Sequence, residues 1–395
     1  MTKVLAVAAV LLLCGARLLH AQQTREEEHT ALQIEKAKDL HPYTPTPVER
    51  RLEMAEHVMM NPPPYFPFVG SIFPGGLLAF GPRYQKPLRG TGSVEAHAGW
   101  SLKSYKLVST EMHLPDLGEG RVSFDAHANW VDAPRVDFYG LGNSSHVPDK
   151  ARYLYRAGVA GGSMTVKPLK WASAAAGAEY LHIVSGGGTG GTPIDQAYGP
   201  ETAPGLGAAP TYAHSIVAGE IDWRQSAGYS RRGGLYRFEW SDFHDTGSGA
   251  YSFRRQDAEV AQYLPLLREN WVIALHGLVS ATDTDPGAVV PYFMLPSLGG
   301  SSDLRGYPTW RFRDRNRLLL TGEYRWTAGQ FVDMAIFIDA GKVAPHTREL
   351  DLHDLKRSYG IGVRFHAPSA TALRFEVAKT RDEGIGFIFA FGPVF

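Results

Sequence analysis

The stretch from Leu298 to Trp326 holds the residues with the clearest capacity for chemistry, and it reads LGGSSDLRGYPTWRFRDRNRLLLTGEYRW. Its glycines and serines predict a turn that contains Leu304, Arg305, Gly306 and Tyr307. A guanidinium stays charged and offers five N–H donors in a planar fork, so Arg305 suits carboxylates or phosphates rather than covalent catalysis. Gly306 permits a positive φ and a tight turn. By itself an Arg-Gly-Tyr tripeptide is usually a solvated turn, so its meaning depends on the elements around it.

No other segment carries a catalytic, cofactor or metal signature. The glycine-rich stretch 185–191 lacks the Lys-Ser/Thr of a phosphate loop, and no G-x-S-x-G nucleophile motif occurs. The histidines lack the H-x-x-x-H or H-x-H spacing of a zinc site. Aspartates at 283–285 and 351–354 could bind calcium or bridge to lipopolysaccharide through divalent ions, although such loop tips are usually only solvated. We therefore expect no catalytic residue, no cofactor, no resident metal and no enzyme activity.

Residues 1–21 have the build of a secretory signal peptide, with Lys3, an apolar run over residues 4–13 and Ala21 before a polar segment. The only cysteine, Cys14, lies inside it, so we expect an exported chain without disulfides. Forty basic residues balance forty acidic ones, which gives no global field for nucleic acid. Beyond residue 21 no stretch approaches the ~20 apolar residues of a spanning helix. The sequence therefore predicts either a secreted soluble protein or a barrel.

Residues 22–64 differ in composition from the rest of the chain. A charged, helix-permissive piece is followed by a proline-rich break, a second short helix-permissive piece and the run NPPP. About 40 residues are too few for an independent domain. We expect a solvated leader, or alternatively a short helix lodged in or under the mouth of a barrel.

From residue 65 to residue 395 the sequence consists of short alternating segments punctuated by Gly, Pro, Asp and Asn. In the segment 317–326, arginines, Thr and Glu occupy the odd positions, whereas the even positions are mostly apolar. The segments 331–340, 358–366 and 373–378 repeat this pattern. Counting such segments over the whole region gives sixteen strands, with fourteen as the alternative. The region 65–395 is therefore expected to be one all-β domain.

Alternation alone does not distinguish a soluble sandwich from an outer-membrane barrel, because the two differ in which face meets water. Three features favour the barrel: the predicted signal peptide, aromatic residues on the apolar face near strand ends, and an aromatic-rich last strand that ends at Phe395. Long and short connections also alternate, as short periplasmic turns and longer outer loops require. We predict a transmembrane antiparallel β-barrel in the outer membrane of a Gram-negative cell.

Three motifs in this order resemble the BamA and TamA superfamily of outer-membrane barrels, often called bacterial surface antigens. They are the Leu-Arg-Gly-Tyr unit at 304–307, Glu323 in the next strand, and Phe-Ile-Asp-Ala-Gly at 337–341, which contains Asp339. Glu323 and Asp339 both fall on the polar faces of their strands. The resemblance covers most of residues 65–395 and is strongest from Pro291 onward.

The resemblance implies that the loop folds back into the barrel and that Arg305 meets the acids Glu323 and Asp339 on the wall. Family members that assemble barrels carry POTRA domains ahead of the barrel, and residues 22–64 are too short for one, so we expect a POTRA-less member. We expect it to assist insertion or translocation of protein, or of lipid, at the outer membrane. The alternative is a passive pore or structural surface antigen without a client.

Expected partners are outer-membrane lipid and lipopolysaccharide, and further candidates are periplasmic chaperones, client proteins or a POTRA-bearing partner. In the last strand Phe387, Phe389, Phe391 and Phe395 are expected on one face. They are interpreted both as a lipid-facing girdle and as the signal by which a barrel is recognised for insertion. Gly384, Gly386 and Gly392 would weaken the pairing of this strand, which fits a weak seam between the first and last strands.

Overall fold

The computed structural model describes residues 63–88, 90–266, 270–367 and 370–395, and sixteen of their strands form one antiparallel sheet. The predicted signal peptide, and the predicted leader except for residues 63 and 64, lie outside the described residues. Each strand pairs with its successor in the sheet as a hairpin, in the order of the chain. The predicted all-β class and the count of sixteen strands are confirmed.

In chain order, the strands are β1 (Tyr65–Ser71), β2 (Leu78–Pro87), β3 (Ser93–Ser101), β4 (Lys106–Leu117), β5 (Val122–Phe138), β6 (Ala151–Leu169), β7 (Ala172–Gly187), β8 (Thr211–Asp222), β9 (Gly233–Asp245), β10 (Phe253–Leu266), β11 (Trp271–Asp283), β12 (Ser297–Leu298), β13 (Phe312–Arg313), β14 (Asn316–Gly329), β15 (Val332–Ala344), β16 (Lys356–His366), β17 (Thr371–Thr380) and β18 (Ile385–Phe391).

The short strands β12 and β13 pair only with each other, inside the connection between β11 and β14. We call this connection, residues 284–315, the lid connection. The helices are short: α1 (Ile194–Ala197) and single 3₁₀ turns at Val147–Asp149, Tyr292–Met294 and Thr347–Glu349. Within the described part of the chain, no helix has the length and apolar character needed to cross a membrane.

The connections at the two ends of the sheet differ in length. One end carries long connections such as 139–150, 188–210 and the lid connection, whereas the other carries brief turns such as 170–171 and 330–331. Long and short connections therefore alternate along most of the chain, as the sequence predicts. The lid connection therefore lies at the same end of the sheet as the connection 139–150, which it contacts.

Burial is inverted relative to a soluble protein. On β16 the apolar side chains of Tyr359, Ile361 and Phe365 are exposed, while Ser358 and Arg364 on the opposite face are buried. The inner faces of β14 to β17 bury ten polar or charged residues: Thr321, Glu323, Arg325, Asp333, Asp339, Ser358, Arg364, Arg374, Glu376 and Thr380. An apolar surface on the outside and a polar interior are what a lipid-embedded barrel requires.

Contacts between distant strands show that the sheet curls around a shared interior, which we call the lumen. Tyr229, between β8 and β9, stacks on His366 of β16 with ring centroids 4.0 Å apart. At the other end Asn143, after β5, donates a hydrogen bond to the carbonyl of Asp354, before β16. Among the described residues no ladder joins β1 to β18, so the curled sheet has two unpaired edges.

The outward face of β16 provides a test of the lipid-facing assignment. Replacing Ile361 by Arg should destabilise the folded protein by about 2 to 4 kcal/mol in phospholipid vesicles, because a cation near the bilayer midplane loses its hydration. Urea unfolding followed by tryptophan fluorescence measures the difference. Ile361→Ala is the control for lost side-chain volume. Equal stability of the two variants would contradict a lipid-facing position.

Candidate functional site

The turn that carries Arg305 is held in a conformation that few sequences tolerate. Leu304 has φ of 45° and Gly306 has φ of 92°, so the backbone is left-handed on both sides of the arginine. A Cβ atom on Gly306 would lie 2.9 Å from Cβ of Ala378 and 3.0 Å from a methyl carbon of Thr380. Only glycine satisfies both the dihedral angle and this close approach to β17. The turn therefore inserts Arg305 into the lumen, where its side chain is completely buried.

Arg305 uses its whole guanidinium fork on acidic side chains of the inner wall. Its Nε and Nη2 atoms donate to Asp339 at 2.9 and 2.8 Å, which is a bidentate pair. Its Nη1 atom donates to Glu323 at 2.7 Å and to Glu376 at 3.2 Å. Its backbone N–H also donates to Asp339, at 3.0 Å. The guanidinium carbon lies 3.5 Å from the ring centroid of Phe337, so a cation–π contact supports it from one side.

The register of the strands brings these acids together. Thr321 on β14 lies opposite Asp339 on β15, and Thr321 donates a hydrogen bond to that carboxylate at 3.0 Å. Glu323 is two residues further along the same face of β14, within reach of the same guanidinium. Glu376 reaches the site from β17, two strands beyond Asp339. Three strands therefore each contribute one acid to one arginine.

Three further arginines complete the network. Arg364 of β16 donates to Glu323 at 2.7 Å and to Glu376 at 3.0 Å. Arg325 pairs with Glu323 at 2.6 Å, and Arg374 pairs with Glu376 at 2.9 Å. Four guanidinium groups thus share three carboxylates. We call these seven residues, Arg305, Glu323, Arg325, Asp339, Arg364, Arg374 and Glu376, the lumen network.

Electrostatics makes the lumen network cooperative. Burial alone would lower the pKa of Arg305, but the carboxylates of Glu323, Asp339 and Glu376 outweigh this effect and raise it. The side chains of Arg305 and its three acids are fully inaccessible. Removing one partner of a buried ion pair leaves the other charged and unsolvated, which costs far more than an exposed pair contributes. The loop that carries Arg305 is therefore held to the wall by charge.

The same lid connection is anchored to the far wall by two more arginines. Arg313 is buried and donates to the hydroxyl of Tyr153 on β6 and to the carbonyl of Tyr292, both at 2.9 Å. Arg311 donates to the side chain and carbonyl of Ser145 at 2.7 Å and pairs with Glu383, between β17 and β18. The lid connection therefore crosses the lumen and is fastened on both sides.

The structure brings Arg305, Glu323 and Asp339 together at the distances given above. Sequence reasoning missed Glu376, Arg325, Arg364 and Arg374 as members of the network. The signal was available, because the alternation of β14, β16 and β17 places all four on polar faces. The anchoring role of Arg311 and Arg313 had no such signal, since it depends on where a loop crosses the lumen.

The aromatic residues of the last strand divide into two groups. Phe387, Phe389 and Phe391 are exposed on the outer face at 84%, 57% and 63%. The expectation that Phe395 shares this face is wrong. Strand β18 ends at Phe391, Gly392 follows with φ of 77°, and the chain then turns inward so that Phe395 stacks on His276 of β11. The alternation that defines a face ends with the strand.

In the described part of the chain, no group of three or more His, Cys, Asp or Glu residues is arranged to hold a metal ion. The acids of the lumen network are engaged by arginines rather than left free as ligands. The arrangement therefore holds the lid connection against the inner wall by ion pairs.

Comparison with known proteins agrees with this geometry. Residues 219–395 match the Omp85 superfamily domain. The fold is similar to that of BamA from Haemophilus ducreyi lacking POTRA domains 1–3, with a TM-score of 0.63, 17% identity and coverage of 83% of this chain and 69% of that chain. It is also similar to CdiB from Escherichia coli, with a TM-score of 0.55, 12% identity and coverage of 82% of this chain and 62% of that chain. For CdiB from Acinetobacter baumannii the TM-score is 0.50, the identity is 11%, and the match covers 83% of this chain and 59% of that chain.

At these identities the likeness to solved structures concerns the fold. No curated protein matches the sequence. This chain spans about three fifths of the length of the two CdiB chains. The domain match agrees with the family resemblance over residues 219–395, and the strands and connections described here contain no POTRA domain.

Arg305→Ala should loosen the lid connection and destabilise the barrel by on the order of 3 to 5 kcal/mol, less wherever water enters the lumen. The reason is that Glu323, Asp339 and Glu376 would lose a shared cation. Heat-modifiability on a gel, as a function of temperature, measures the effect as a lower transition.

Arg315→Ala is the matched control, because Arg315 lies in the same lid connection and its guanidinium donates to Thr284 rather than to an acid of the lumen network. Arg305→Lys keeps the charge but loses the planar fork, and should fall between wild type and Arg305→Ala. Wild-type behaviour of Arg305→Ala would refute the anchoring role.

Proposed function

We propose that this chain, whose residues 219–395 carry the Omp85 superfamily domain, is an outer-membrane assembly or translocation barrel that assists the insertion or translocation of polypeptides. One observation carries the proposal: among the described residues, the first and last strands of the barrel-like sheet do not pair, and the lid connection is locked inside the lumen. Unpaired edges on β1 and β18 beside a closed interior would direct a client to these edges rather than through an open pore.

The seam between β1 and β18 has the properties that strand addition requires. Both strands are only seven residues long, whereas strands such as β5 and β6 have seventeen and nineteen. An unpaired strand edge presents free N–H and C=O groups that template pairing with another chain. Because lipid offers no hydrogen bonds, an edge at membrane depth has a strong tendency to acquire a partner strand.

The interior supports the same proposal by restricting free diffusion. A buried aromatic and aliphatic cluster that includes Phe138, Tyr153, Tyr212 and Tyr292 fills the end of the lumen where the long connections lie. The lid connection contributes Tyr292 and Phe293 to it. These contacts disfavour a passive, permanently open pore. A plugged structural surface antigen without a client is the competing function, and the seam is what distinguishes the two.

The partners that this function requires are polypeptide clients with unpaired strands. Outer-membrane lipid surrounds the exposed apolar face described above. Docking of periplasmic chaperones or of a POTRA-bearing partner belongs to the same proposal, because the described residues contain no domain that would capture a client before it reaches the seam.

Site-specific photo-crosslinking tests whether clients meet the seam. A photoreactive residue at Val69 on β1 should crosslink a reporter barrel protein while it folds into vesicles that contain this protein. The same residue at Val217 on β8 is the control, because both valines lie on the outer face with similar exposure, 56% and 52%. The reporter should also fold faster than in vesicles that lack the protein.

Equal crosslinking at both positions, with no acceleration of reporter folding, would favour the structural surface antigen. Planar-bilayer conductance provides a separate measurement for the pore. The wild-type protein should show only brief openings, and Arg305→Ala should show more frequent ones, because the lid connection is then released from one wall.

A further inference from the structure

The segment after β18 is held inside the lumen by specific contacts. The ring of Phe395 stacks on that of His276 with centroids 4.6 Å apart and an interplanar angle of 6°. Tyr263 of β10 donates its hydroxyl hydrogen to the main-chain oxygen of Phe395 at 2.7 Å. The guanidinium carbon of Arg325 lies 5.1 Å from the centroid of the Phe395 ring. One phenyl ring is thus contacted by three strands.

The surface that receives Phe395 is unusual for an inner wall. A buried apolar cluster on β9, β10 and β11, made of Leu235, Ala261, Tyr263, Val272 and Ala274, packs against its ring. Elsewhere the inner faces of β14 to β17 carry mostly charged and hydroxyl side chains. An apolar patch on a polar inner wall is stabilised when another apolar group covers it, because this removes apolar surface from contact with water. We call this cluster together with His276 and Arg325 the aromatic seat.

We propose that the aromatic seat is a binding site for an aromatic side chain on an extended polypeptide segment, and that Phe395 of this chain occupies it. Its composition fits that ligand class. His276 offers a flat stacking partner, Arg325 a cation near the ring, and Tyr263 a hydroxyl that donates to a backbone carbonyl. A ring with an adjacent carbonyl satisfies all three, whereas a lone aliphatic side chain satisfies neither the stack nor the cation.

Occupation of the aromatic seat fixes the end of β18. Gly392, one residue after the strand, accepts a hydrogen bond from Nε of Arg374 at 2.9 Å, so the turn into the lumen is itself held by the lumen network. Near the start of β18, the lid connection packs closely against the strand, since a Cβ on Gly386 would lie 3.0 Å from Cα of Gly306. The last strand is thus restrained from inside at two places, by the lid connection and by the aromatic seat.

The two restraints share one acid. Glu323 accepts from Arg305 at 2.7 Å and pairs with Arg325 at 2.6 Å, and Arg325 contacts Phe395. Displacing the lid connection therefore alters the charge balance around Arg325, next to the aromatic seat. The binding site stands on its contacts alone. Its consequence, that release of Phe395 frees the edge of β18, rests on the proposed function.

Cysteine labelling measures occupation of the aromatic seat directly. Val394 is 9% exposed, and Cys14 is replaced by Ser so that Val394→Cys is the only thiol. In folded protein in detergent or vesicles, Val394→Cys should react slowly with a maleimide. Adding Phe395→Ala should speed labelling about tenfold, the change expected from losing a stacked aromatic pair of ordinary strength. Phe391→Ala, an outward phenylalanine on β18, is the control and should leave the rate unchanged.

Substitution at Phe395 separates aromatic recognition from simple apolar packing. Phe395→Trp should keep labelling slow, whereas Phe395→Leu should give the fast rate of Phe395→Ala. His276→Ala should also accelerate labelling, because it removes the stacking partner from the wall side. Heat-modifiability of every variant shows that the barrel is folded. Fast labelling of Val394→Cys alone, or equal rates for Phe395→Leu and Phe395→Trp, would overturn the proposal.

The labelling assay contains no client, so its result does not depend on the proposed function. If labelling follows the expected order while no variant changes reporter folding, the aromatic seat stands and the assembly function fails. If reporter folding is accelerated by the wild-type protein but labelling is insensitive to Phe395, the function stands and the aromatic seat fails.

Discussion

The buried guanidinium of Arg305 must be neutralised by carboxylates, and much of the structure depends on this constraint. Arg305 is completely inaccessible to solvent, so its charge is tolerated only while Glu323, Asp339 and Glu376 surround it. This requirement fixes the path of the lid connection, the glycine at position 306 and the register of three strands. It also explains the presence of Arg364 and Arg374, because three carboxylates carry more negative charge than one arginine balances.

The placement of polar and apolar residues follows from the solvent on each side of the sheet. Lipid makes no hydrogen bonds, so backbone groups pair within the sheet and the outer side chains are apolar. The charged side chains of the lumen network point to the inner side of the sheet, so the outer side can remain apolar. The aromatic seat is the exception on the inner wall, and its apolar character is compensated by a ring that arrives from β18.

Much of the fold could be predicted from the sequence, because a period of two residues specifies strands and which residues share a face. That period predicts the sixteen strands and places Glu323 and Asp339 on the polar faces of their strands, which the structure shows to face inward. It could not place Phe395, since the alternation stops where Gly392 turns the chain. It also could not show that Arg311 and Arg313 reach the far wall, because loops have no period and their paths depend on tertiary contacts.

The double anchoring of the lid connection has a mechanical consequence. In a closed barrel, strand number and shear together set the girth of the cylinder. Here no ladder joins β1 to β18 among the described residues, so the strand count alone leaves the circumference undetermined. The segment from Arg305 to Arg313 links β15 on one side to β6 on the other, so its length limits how far apart these two strands can lie. The lid connection is thus a tether across the lumen, and a loop rather than the strand ladder limits the width of the sheet at this level.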